Sequence, residues 1–343
     1  MAHILFLGGT RFIGAAAVRA LIADGHSVTV FHRGTTENPL PDGVRHIHGD
    51  RADLGAHATE LRAAKADVVV DMRALKAADT AAVQDVFRGH ARRHVLISSI
   101  DVYQAWDAVR CRDERPSVTS TDGTFDEEAP LRRKPFPYRE RAKEGEIYRD
   151  YDKIPCEQKA LEDRELPGTV LRLPMVYGPD DYQHRLYAIA RRMADRRPFV
   201  ILSRPEASAV LPRCFVDDVG RAIAVAATDD RAAGRTYNVV DEPSFVERDW
   251  VALVARVLRW EGRVVELSAD AMPAHMKDDE PMDWSVSIAV SARRIGSELG
   301  WSVRPPREEA IARTVEWELA HPPEKLPPRD DEAEDRAIAQ AAL

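Results

Sequence analysis

The residues best suited to bind a ligand form the glycine-rich stretch at residues 8–14, which reads GGTRFIG. The stretch directly follows the apolar run at residues 4–7, and its first and last glycines have the outer spacing of a GxxGxxG loop. A glycine-rich turn between a strand and a helix presents backbone N–H groups and a helix N-terminus to a diphosphate. The pattern therefore predicts a phosphate-binding loop, although glycine turns of purely structural origin share it. The contacts that it predicts are Gly8, Thr10, Arg11, Phe12, Ile13 and Gly14.

The end of the second predicted strand bears on the kind of dinucleotide that such a loop would hold. It reads His32-Arg33-Gly34 and carries no carboxylate. An acidic residue at this place accepts hydrogen bonds from the ribose 2′-hydroxyl of NAD, whereas arginine favours the 2′-phosphate of NADP. Arg33 therefore favours NADP(H) over NAD(H), and the guanidinium of Arg11 is expected to supplement the same phosphate region. The alternative is that both arginines are solvated loop residues.

The elements that must position this loop alternate between strands and helices along the first half of the chain. Short apolar runs separated by amphipathic stretches favour βαβ units around a parallel sheet, whose strands are apolar throughout because both faces are buried. The pattern thus predicts an α/β fold, with a first helix at Phe12–Ala23 that begins inside the glycine stretch. The predicted strands are His3–Leu7, Ser27–His32, Arg45–His48, Asp67–Asp71, His94–Ser98 and Thr169–Leu173.

Composition and charge exclude several classes of protein. The chain has 343 residues and a formal net charge of −8, which argues against a nucleic-acid binder that works through a broad basic surface. Its three cysteines form no CxxC pair and its histidines show no ligand spacing, so we predict neither a disulfide framework nor a metal site. No signal peptide is visible, and no run of residues reaches the length of a membrane span. These features favour a soluble, cytoplasmic protein without a membrane partner.

A series of motifs resembles those of a known family. The series resembles the extended short-chain dehydrogenase/reductase superfamily, in its NAD-dependent epimerase/dehydratase branch, over roughly residues 3 to 320. The GGTRFIG form is similar to atypical members that include the chloroplast stem-loop-binding proteins and their bacterial relatives. After the glycine stretch, the motifs are Gly49-Asp50, Ser98 to Tyr103, Leu171 to Pro179, Phe215 to Val219, Tyr237 to Val239 and Leu299 to Trp301.

The resemblance implies a Rossmann doubly wound parallel sheet, which binds NAD(P), with a smaller C-terminal α/β lobe for the substrate. The two expected lobes are residues 1–174 with about 214–241 and residues about 175–213 with 242–321. Residues 322–343 are proline-rich and then acidic, and we expect a frayed or loosely docked tail there. The charged, proline-rich segment at 104–147 is too long for an ordinary connection, so it is either a lid over a site or a solvated excursion.

The resemblance also implies roles for single residues. Asp50 would contact the adenine, and Arg51 follows it in the cofactor site. Ser99 falls on the family's catalytic serine. Pro174 and Val176 would lie near the nicotinamide.

The proton donor of the family is a tyrosine four residues before a lysine, a spacing that places both side chains on one face of a helix. The lysine cation lowers the pKa of the phenol and anchors the ribose, while a serine hydroxyl orients the substrate oxygen. In this chain Lys153, with Glu157 four residues later, matches the lysine. Arg149 stands where the tyrosine is expected, and Pro155 stands where a lysine would follow Tyr151. Neither register gives YxxxK.

Three interpretations of the missing tyrosine are open. Tyr148 could supply the phenol from a loop, because Pro155 is best tolerated in the first turn of a helix that begins only after Tyr148. Tyr151 could supply it if the start of the helix is irregular. Alternatively the proton relay is absent, or another group near the catalytic serine, such as Asp101, has replaced it. Lys153 is the expected cofactor anchor.

Two functions from different classes fit these residues. The first is an NADP(H)-dependent oxidoreductase or epimerase that acts on a carbonyl or secondary alcohol of a small molecule, for which a nucleotide sugar is one candidate. Reduction and epimerisation need only hydride transfer and one acid–base group, whereas a dehydratase normally has further carboxylates beside the serine. The second is a cofactor-binding sensor or RNA-associated protein without turnover, which the missing YxxxK favours and the acidic composition opposes.

Family members often pair through helices beside the active site, so a homodimer is a further expectation, which the charged end of Ile154–Arg164 weakens.

Overall fold

The computed structural model describes residues 1–35, 39–116, 123–277 and 280–341. Its strands are β1 (His3–Leu7), β2 (Ser27–His32), β3 (Arg45–His48), β4 (Val68–Asp71), β5 (Arg93–Ser99), β6 (Gly168–Leu173), β7 (Met175–Tyr177), β8 (Phe199–Ser203), β9 (Val210–Leu211), β10 (Arg213–Phe215), β11 (Thr236–Asn238), β12 (Phe245–Val246) and β13 (Arg263–Leu267). Its α-helices are α1 (Phe12–Ala23), α2 (Ala58–Ala63), α3 (Ala77–Phe87), α4 (Gln104–Val109), α5 (Lys153–Glu162), α6 (Tyr187–Ala194), α7 (Arg204–Ser208), α8 (Val216–Thr228), α9 (Glu247–Val257), α10 (Arg293–Leu299), α11 (Arg307–Ala320) and α12 (Asp331–Ala341).

Seven of the described strands form one parallel sheet in the order β11-β6-β5-β4-β1-β2-β3. The chain builds the sheet outward from β1 to β3 and then returns to the other side of β1 to add β4. The carboxyl ends of β1 and β4 therefore frame the crevice at the point where the strand order reverses. This arrangement confirms the predicted α/β Rossmann fold, and the six predicted strands agree with the observed ones to within one residue at each end.

Apolar strands and close helix packing explain why the sheet is buried on both faces. Val68, Val69 and Val70 are fully buried, as a strand covered on both sides requires. Helix α1 packs against α8, and a Cβ on Gly220 of α8 would lie only 2.7 Å from the backbone of Ala16 in α1. The absence of a side chain at Gly220 thus lets the two helices approach closely and holds α1 directly behind the glycine loop.

The other strands of the described residues form three small sheets, in which β7 pairs with β10, β8 with β13 and β9 with β12. Helices α6, α9 and α11 pack against one another beside these strands. Trp250 of α9 is buried, and its ring centroid lies 4.7 Å from that of Tyr177. Apart from part of β10, these elements lie within the residues expected to form the smaller lobe, and Tyr177 and Trp250 belong to the same apolar cluster as residues of the central sheet.

The C-terminal residues differ from the expected loose tail, because residues 331–341 form helix α12 and dock on β13. Ala337 lies in an apolar cluster with Ile201 and Leu267. Glu334 is fully buried, and its Oε1 accepts a hydrogen bond of 2.6 Å from Nη2 of Arg192 in α6. A buried carboxylate is stable when a hydrogen-bonded cation neutralises it. The acidic composition of this segment therefore reflects an internal ion pair as well as a solvated face.

The segment at 104–147 lies against the protein in its described parts. It starts with α4 and returns to pair Leu131 with Tyr103. Arg132 is buried, and its guanidinium donates to the carbonyl of Asp101 at 2.6 Å and to Oδ1 of Asp152 at 2.8 Å. These contacts hold the segment against the turn that follows β5. Of the two alternatives, they favour a lid over a site and oppose a solvated excursion.

A buried histidine in β5 makes the stability of the fold depend on pH. His94 is fully buried, neither ring nitrogen has a hydrogen-bond partner in the described part of the chain, and burial lowers its pKa to about 4. An unfolded histidine has a pKa of about 6.5. As the pH falls, the unfolded chain therefore takes up a proton before the folded chain does. The contribution of His94 to the free energy of unfolding is fully present above about pH 6.5 and decreases by about 3 kcal/mol in total towards pH 4.

We expect His94→Leu to flatten this decline, because leucine has no proton to gain. The free energy of unfolding in urea, measured at about pH 7 and about pH 5, should fall by about 2 kcal/mol less in the variant than in the wild type. The exposed His90 provides the control, since His90→Leu should leave the decline unchanged. Equal declines in the wild type and in His94→Leu would contradict the assignment.

Candidate functional site

A cleft of about 410 Å³ opens at the carboxyl ends of four neighbouring strands. Most of its wall is formed by residues 8–14 after β1, 33–35 after β2, 49–51 after β3 and 72–73 after β4. Tyr148 and Tyr182 complete the wall from other parts of the chain. The cleft lies at the switch point of the sheet, where open parallel sheets bind their ligands.

The glycine loop has the backbone shape that a phosphate site needs. Gly8 and Gly9 have φ values of +89° and +109°, in the left-handed region that side chains disfavour. A Cβ on Gly14 would lie 2.4 Å from the Cα of Gly9, so the first turn of α1 can rest on the loop only because Gly14 has no side chain. Arg11 is the N-cap residue of α1 and its side chain forms no capping hydrogen bond, whereas the N–H of Gly14 donates to the Arg11 carbonyl at 3.0 Å. The glycine loop and the N-terminus of α1 thus lie together, and the binding of a diphosphate there stays a prediction.

Arg11 lies at the wall of the cleft and has an aromatic partner. Its Cζ is 5.0 Å from the centroid of the Tyr182 ring, within the range of a cation–π contact. The ring of Phe12 meets the same ring edge-on, at a centroid distance of 6.2 Å. Tyr182 therefore holds the Arg11 guanidinium beside the glycine loop, where an anionic ligand could meet it.

Arg33 is exposed at the cleft, on a turn that His32 fixes. Nδ1 of His32 accepts a hydrogen bond from the N–H of Gly34 at 3.2 Å, so the ring proton belongs on Nε2. Nε2 then donates to Nδ1 of His46, which lies 2.8 Å away. The turn is held by these bonds, and the Arg33 guanidinium extends from it into the cleft wall.

Asp50 and Arg51 line the cleft but already have protein partners. Oδ1 of Asp50 accepts the N–H of Ala52 at 2.8 Å and so caps a 3₁₀ turn. Arg51 pairs with Asp71 through two hydrogen bonds, of which the Nε–Oδ1 bond is 3.1 Å. Burial alone would raise the pKa of Asp71, and the Arg51 guanidinium holds it below its usual value instead. Arg51 is therefore largely committed to Asp71, which weakens its assignment as a cofactor contact.

Lys153 lies behind the wall of the cleft, at the start of α5. Its Nζ donates to the carbonyls of Ala74 at 2.6 Å and Ile97 at 2.8 Å, and burial lowers its pKa. These two bonds leave one N–H of the ammonium group for a ligand. Asp152 caps the helix with its side chain, so α5 begins at Lys153 and Pro155 falls in the first turn, as predicted.

Ser99 ends β5, and its Oγ accepts the N–H of Asp101 at 3.2 Å. A hydroxyl that accepts in this way keeps its own proton for a substrate oxygen. Asp101 is 5% exposed, and its Oδ2 accepts hydrogen bonds from the phenols of Tyr138 and Tyr151, each 2.8 Å long. Its Oδ1 has no hydrogen-bond partner among residues 1–35, 39–116, 123–277 and 280–341. Asp101 is thus the hub of a buried polar cluster next to the catalytic serine of the family.

The two candidate proton donors differ in their surroundings. Tyr151 is 6% exposed and bonded to Asp101, and burial together with this carboxylate raises its pKa well above the usual value. Burial and Asp101 raise the pKa of Tyr138 in the same way. Tyr148 is 53% exposed and lines the cleft. Its ring centroid lies 6.3 Å from those of Tyr138 and Tyr151, so the three rings form one cluster in which Tyr148 is the most exposed.

A second cavity of about 340 Å³ shares Tyr148 with the first. Half of its lining residues are tyrosines, and one basic and one acidic residue also line it. Aromatic faces with a few polar groups suit a small ring-shaped ligand. The residues are Tyr138, Arg141, Ala142, Glu146, Tyr148 and Tyr151.

Pro174 and Val176 lie beside Ser99 and outside the wall of the main cleft. The last residue of β6, Leu173, is the register partner of Ser99, so Pro174 directly follows this pair. Val176 is buried, and its carbonyl accepts a hydrogen bond of 3.0 Å from Arg185. Neither residue lines the main cleft, so their expected place near the nicotinamide stays a prediction.

Sequence reasoning missed Tyr138 and Tyr182. The charged neighbours of Tyr182 pair within the protein: Asp181 with Arg185 at 2.6 Å, and His184 with Glu318 at 2.7 Å. The signal that was present for Tyr182 is a large aromatic residue in a charged turn after a glycine. For Tyr138 it is an aromatic residue inside the 104–147 segment, and neither signal is specific.

Neither a metal cluster nor a membrane helix occurs in the part of the chain that the structure describes. Its His, Cys, Asp and Glu side chains form no group of three or more that could bind a metal ion. The same residues contain no helix with the length and apolar character to cross a bilayer. Cys111, Cys156 and Cys214 are free thiols, and burial raises the pKa of Cys156 to about 12.

Comparison with known proteins agrees with this geometry. A model of the NAD dependent epimerase/dehydratase family matches residues 4–239, which is more than half of the chain. The 2′-dehydrokanamycin reductase of Streptomyces kanamyceticus is 36% identical over 98 residues, which are 29% of this chain and 28% of that protein. The chloroplast stem-loop binding protein of 41 kDa b of Arabidopsis thaliana is 30% identical over 125 residues, which are 32% of this chain and 33% of that protein. The match thus spans a third or less of the length of both relatives.

Solved structures resemble the whole fold. The dTDP-glucose 4,6-dehydratase of Bacillus anthracis, solved in complex with NAD, superposes with a TM-score of 0.67 and 18% sequence identity. The superposition covers 94% of this chain and 98% of that chain. At this level of identity the likeness concerns the fold, and it includes the small sheets as well as the central one.

Proposed function

This chain belongs to the NAD dependent epimerase/dehydratase family, and we propose that it is an NADP(H)-dependent enzyme that acts on a carbonyl or secondary alcohol of a sugar-like substrate. The observation that carries the proposal is the single cleft that residues after four neighbouring parallel strands form around the glycine loop. A cleft of this kind at the switch point of a doubly wound sheet is suited to a dinucleotide.

The residues of the loop fit the diphosphate of such a dinucleotide. The close approach of Gly14 to Gly9 leaves backbone at the base of the cleft, where a phosphate can come near without meeting a side chain. When bound, the nicotinamide ring would supply or accept a hydride. The part of this chain is then to hold the dinucleotide, orient the substrate oxygen and move one proton.

The preference for NADP(H) rests on Arg33. β2 ends without a carboxylate that could bind a ribose 2′-hydroxyl, and the exposed Arg33 follows it at the wall of the cleft. A guanidinium binds a phosphate through two parallel charged hydrogen bonds, which a hydroxyl cannot replace. The Arg11 side chain lies nearer to the helix N-terminus, so we assign it to the diphosphate and leave the 2′-phosphate to Arg33.

The experiment that tests this function is a fluorescence titration with NADPH and NADH. We expect Arg33→Asp to weaken NADPH binding about 10- to 100-fold, because a charged hydrogen bond to phosphate is lost and a like charge is added. NADH binding should change less than about threefold, since NADH has no 2′-phosphate. Arg45→Asp, the same change at the opposite end of the neighbouring strand β3, is the control. Equal losses for both cofactors in Arg33→Asp would refute the cofactor preference, and a wild type that binds neither would refute the function.

Tyr148 is the proton donor that the geometry supports best. It is the exposed member of the three-tyrosine cluster, and it borders both the main cleft and the second cavity. Ser99 keeps a hydroxyl proton for the substrate oxygen, and Lys153 keeps one N–H for the ribose. We therefore assign proton transfer to Tyr148, orientation of the substrate to Ser99 and cofactor anchoring to Lys153.

The substrate class rests on the second cavity and on the relatives. The aromatic wall around Tyr148 suits the apolar face of a sugar ring. Both an aminoglycoside reductase and a nucleotide-sugar dehydratase are named among the similar proteins. Reduction of a sugar carbonyl or epimerisation at a secondary alcohol fits the site better than dehydration, because Asp101, the carboxylate nearest to Ser99 in sequence, already accepts two phenols.

A second candidate function is cofactor binding without turnover. The observation that favours it is the hydrogen bond from the Tyr151 hydroxyl to Asp101. Tyr151 lies two residues before Lys153, and this bond occupies the proton that it would donate to a substrate. One relative is named a stem-loop binding protein, but the net charge of −8 opposes broad contact with nucleic acid. NADPH binding with neither oxidation of NADPH nor formation of an epimerised product, across a panel of sugar ketones and nucleotide sugars, would favour this function over the first.

A further inference from the structure

Arg11 and Tyr182 meet at the edge of the cleft although burial does not force them together. Tyr182 is 56% exposed, so the hydrophobic effect accounts for little of its position. The Arg11 Cζ lies 5.0 Å from the centroid of its ring, and both side chains line the cleft. The pair thus links the glycine loop to a turn that lies far along the chain, between β7 and α6.

The turn that carries Tyr182 is fixed on both sides of the tyrosine. Asp180 has a φ of +68°, and its carboxylate lies 3.8 Å from the guanidinium of Arg19 in α1. Asp181 is buried and pairs with Arg185 at 2.6 Å. The ring of Tyr182 is therefore presented to the glycine loop by a turn that is itself anchored.

We propose that Tyr182 is a positioning residue for the dinucleotide, which it holds through Arg11. The Tyr182 ring holds one face of the Arg11 guanidinium, and the N–H groups at the edge of the guanidinium bind the diphosphate. Stacking and bidentate binding of phosphate use different parts of a guanidinium, so they are compatible. This inference rests on the proposed function, because it requires a dinucleotide in the cleft.

The physical gain is preorganisation. A free arginine side chain loses much of its rotamer freedom when it binds a phosphate, and that loss lowers the affinity. An Arg11 side chain that is already held beside the N-terminus of α1 loses less, and its charge adds to the helix dipole there. Because differences in affinity among variants of one site lie mostly in the dissociation rate, the expected effect is a change in that rate.

The test measures the rate at which NADPH leaves the full-length protein, by displacement in a stopped-flow instrument. We expect Tyr182→Ala to raise this rate about 3- to 10-fold, as loss of a cation–π contact would. Tyr182→Phe keeps the ring and should stay within about twofold of the wild type. In an Arg11→Ala background, Tyr182→Ala should have no further effect, because the ring then has no guanidinium to hold. Leu326→Ala, a change of another exposed apolar side chain outside the cleft, is the control.

The outcomes separate this inference from the function on which it rests. Unchanged or slower dissociation in Tyr182→Ala, or the same increase with and without Arg11, would overturn the role of Tyr182 while leaving the enzyme proposal intact. A wild-type protein that binds neither NADPH nor NADH would overturn the function, and the inference with it. Thermal midpoints of all variants should agree, since the exposed ring contributes little to the core.

Discussion

Replacing Tyr148 with phenylalanine should lower turnover about 10²- to 10⁴-fold, the usual loss when a general acid is removed. The phenylalanine keeps the ring that borders both cavities and removes only the hydroxyl. NADPH binding should therefore remain within about twofold of the wild type, because the lost group acts on the substrate oxygen. The measurement is steady-state oxidation of NADPH with a sugar ketone, together with a direct titration of the cofactor.

Tyr151→Phe is the matched control for this variant. Its hydroxyl donates to Asp101, and Tyr138 continues to donate to the same oxygen when it is removed. Burial and the carboxylate raise the pKa of Tyr151 well above the usual value, so it is a poor proton donor near neutral pH. We expect Tyr151→Phe to cost about 1 kcal/mol of stability and to retain most of the turnover. A larger loss of turnover in Tyr151→Phe than in Tyr148→Phe would reverse the assignment, and full activity in both would leave Asp101 as the remaining candidate.

The sequence predicted those parts of the site that depend on local patterns. Gly8 and Gly14 could be placed in a phosphate loop because the requirement for positive φ and close backbone approach acts within a few residues. The inner strands β1 and β4 could be found for a similar reason, since burial on both faces favours apolar residues at nearly every position. Arg33 was found because it directly follows a strand.

The rest depended on contacts between distant parts of the chain. Arg11 contacts the ring of Tyr182, and this contact depends on the path of the turn after β7, which the sequence does not reveal. The difference between Tyr148 and Tyr151 arises because the 104–147 segment folds over Asp101 and brings Tyr138 to it. Helix α12 was not predicted, because glutamate usually lies at the protein surface. Here Glu334 is buried instead, and its ion-pair partner Arg192 lies on α6, far away in the sequence. Charged residues that pair inside the protein leave no local signal.

Glu157 is a further example, and removing its charge should have the largest effect on stability. Glu157 is 2% exposed, and its carboxylate accepts hydrogen bonds from Ser98 at 2.5 Å and from Nη2 of Arg172 at 2.7 Å. Arg172 is also buried, and donates to the hydroxyl of Tyr103 at 2.9 Å. The network joins α5, β5 and β6 directly behind Ser99 and Lys153. Glu157→Gln keeps the shape and leaves the Arg172 cation without a counter-charge, which we expect to lower the free energy of unfolding by about 3–5 kcal/mol.

Urea unfolding at neutral pH measures this loss, and an exposed ion pair provides the comparison. Glu266 pairs with Arg248 at 2.6 Å on the surface, so Glu266→Gln should cost less than about 1 kcal/mol. The double variant Glu157→Leu with Arg172→Leu should be more stable than Glu157→Gln, because it removes the uncompensated cation together with its partner. If Glu157→Gln lowers the free energy of unfolding no more than Glu266→Gln does, the buried ion pair is not what holds α5 against the sheet. In that case the position of Lys153 must come from its own bonds to the Ala74 and Ile97 carbonyls.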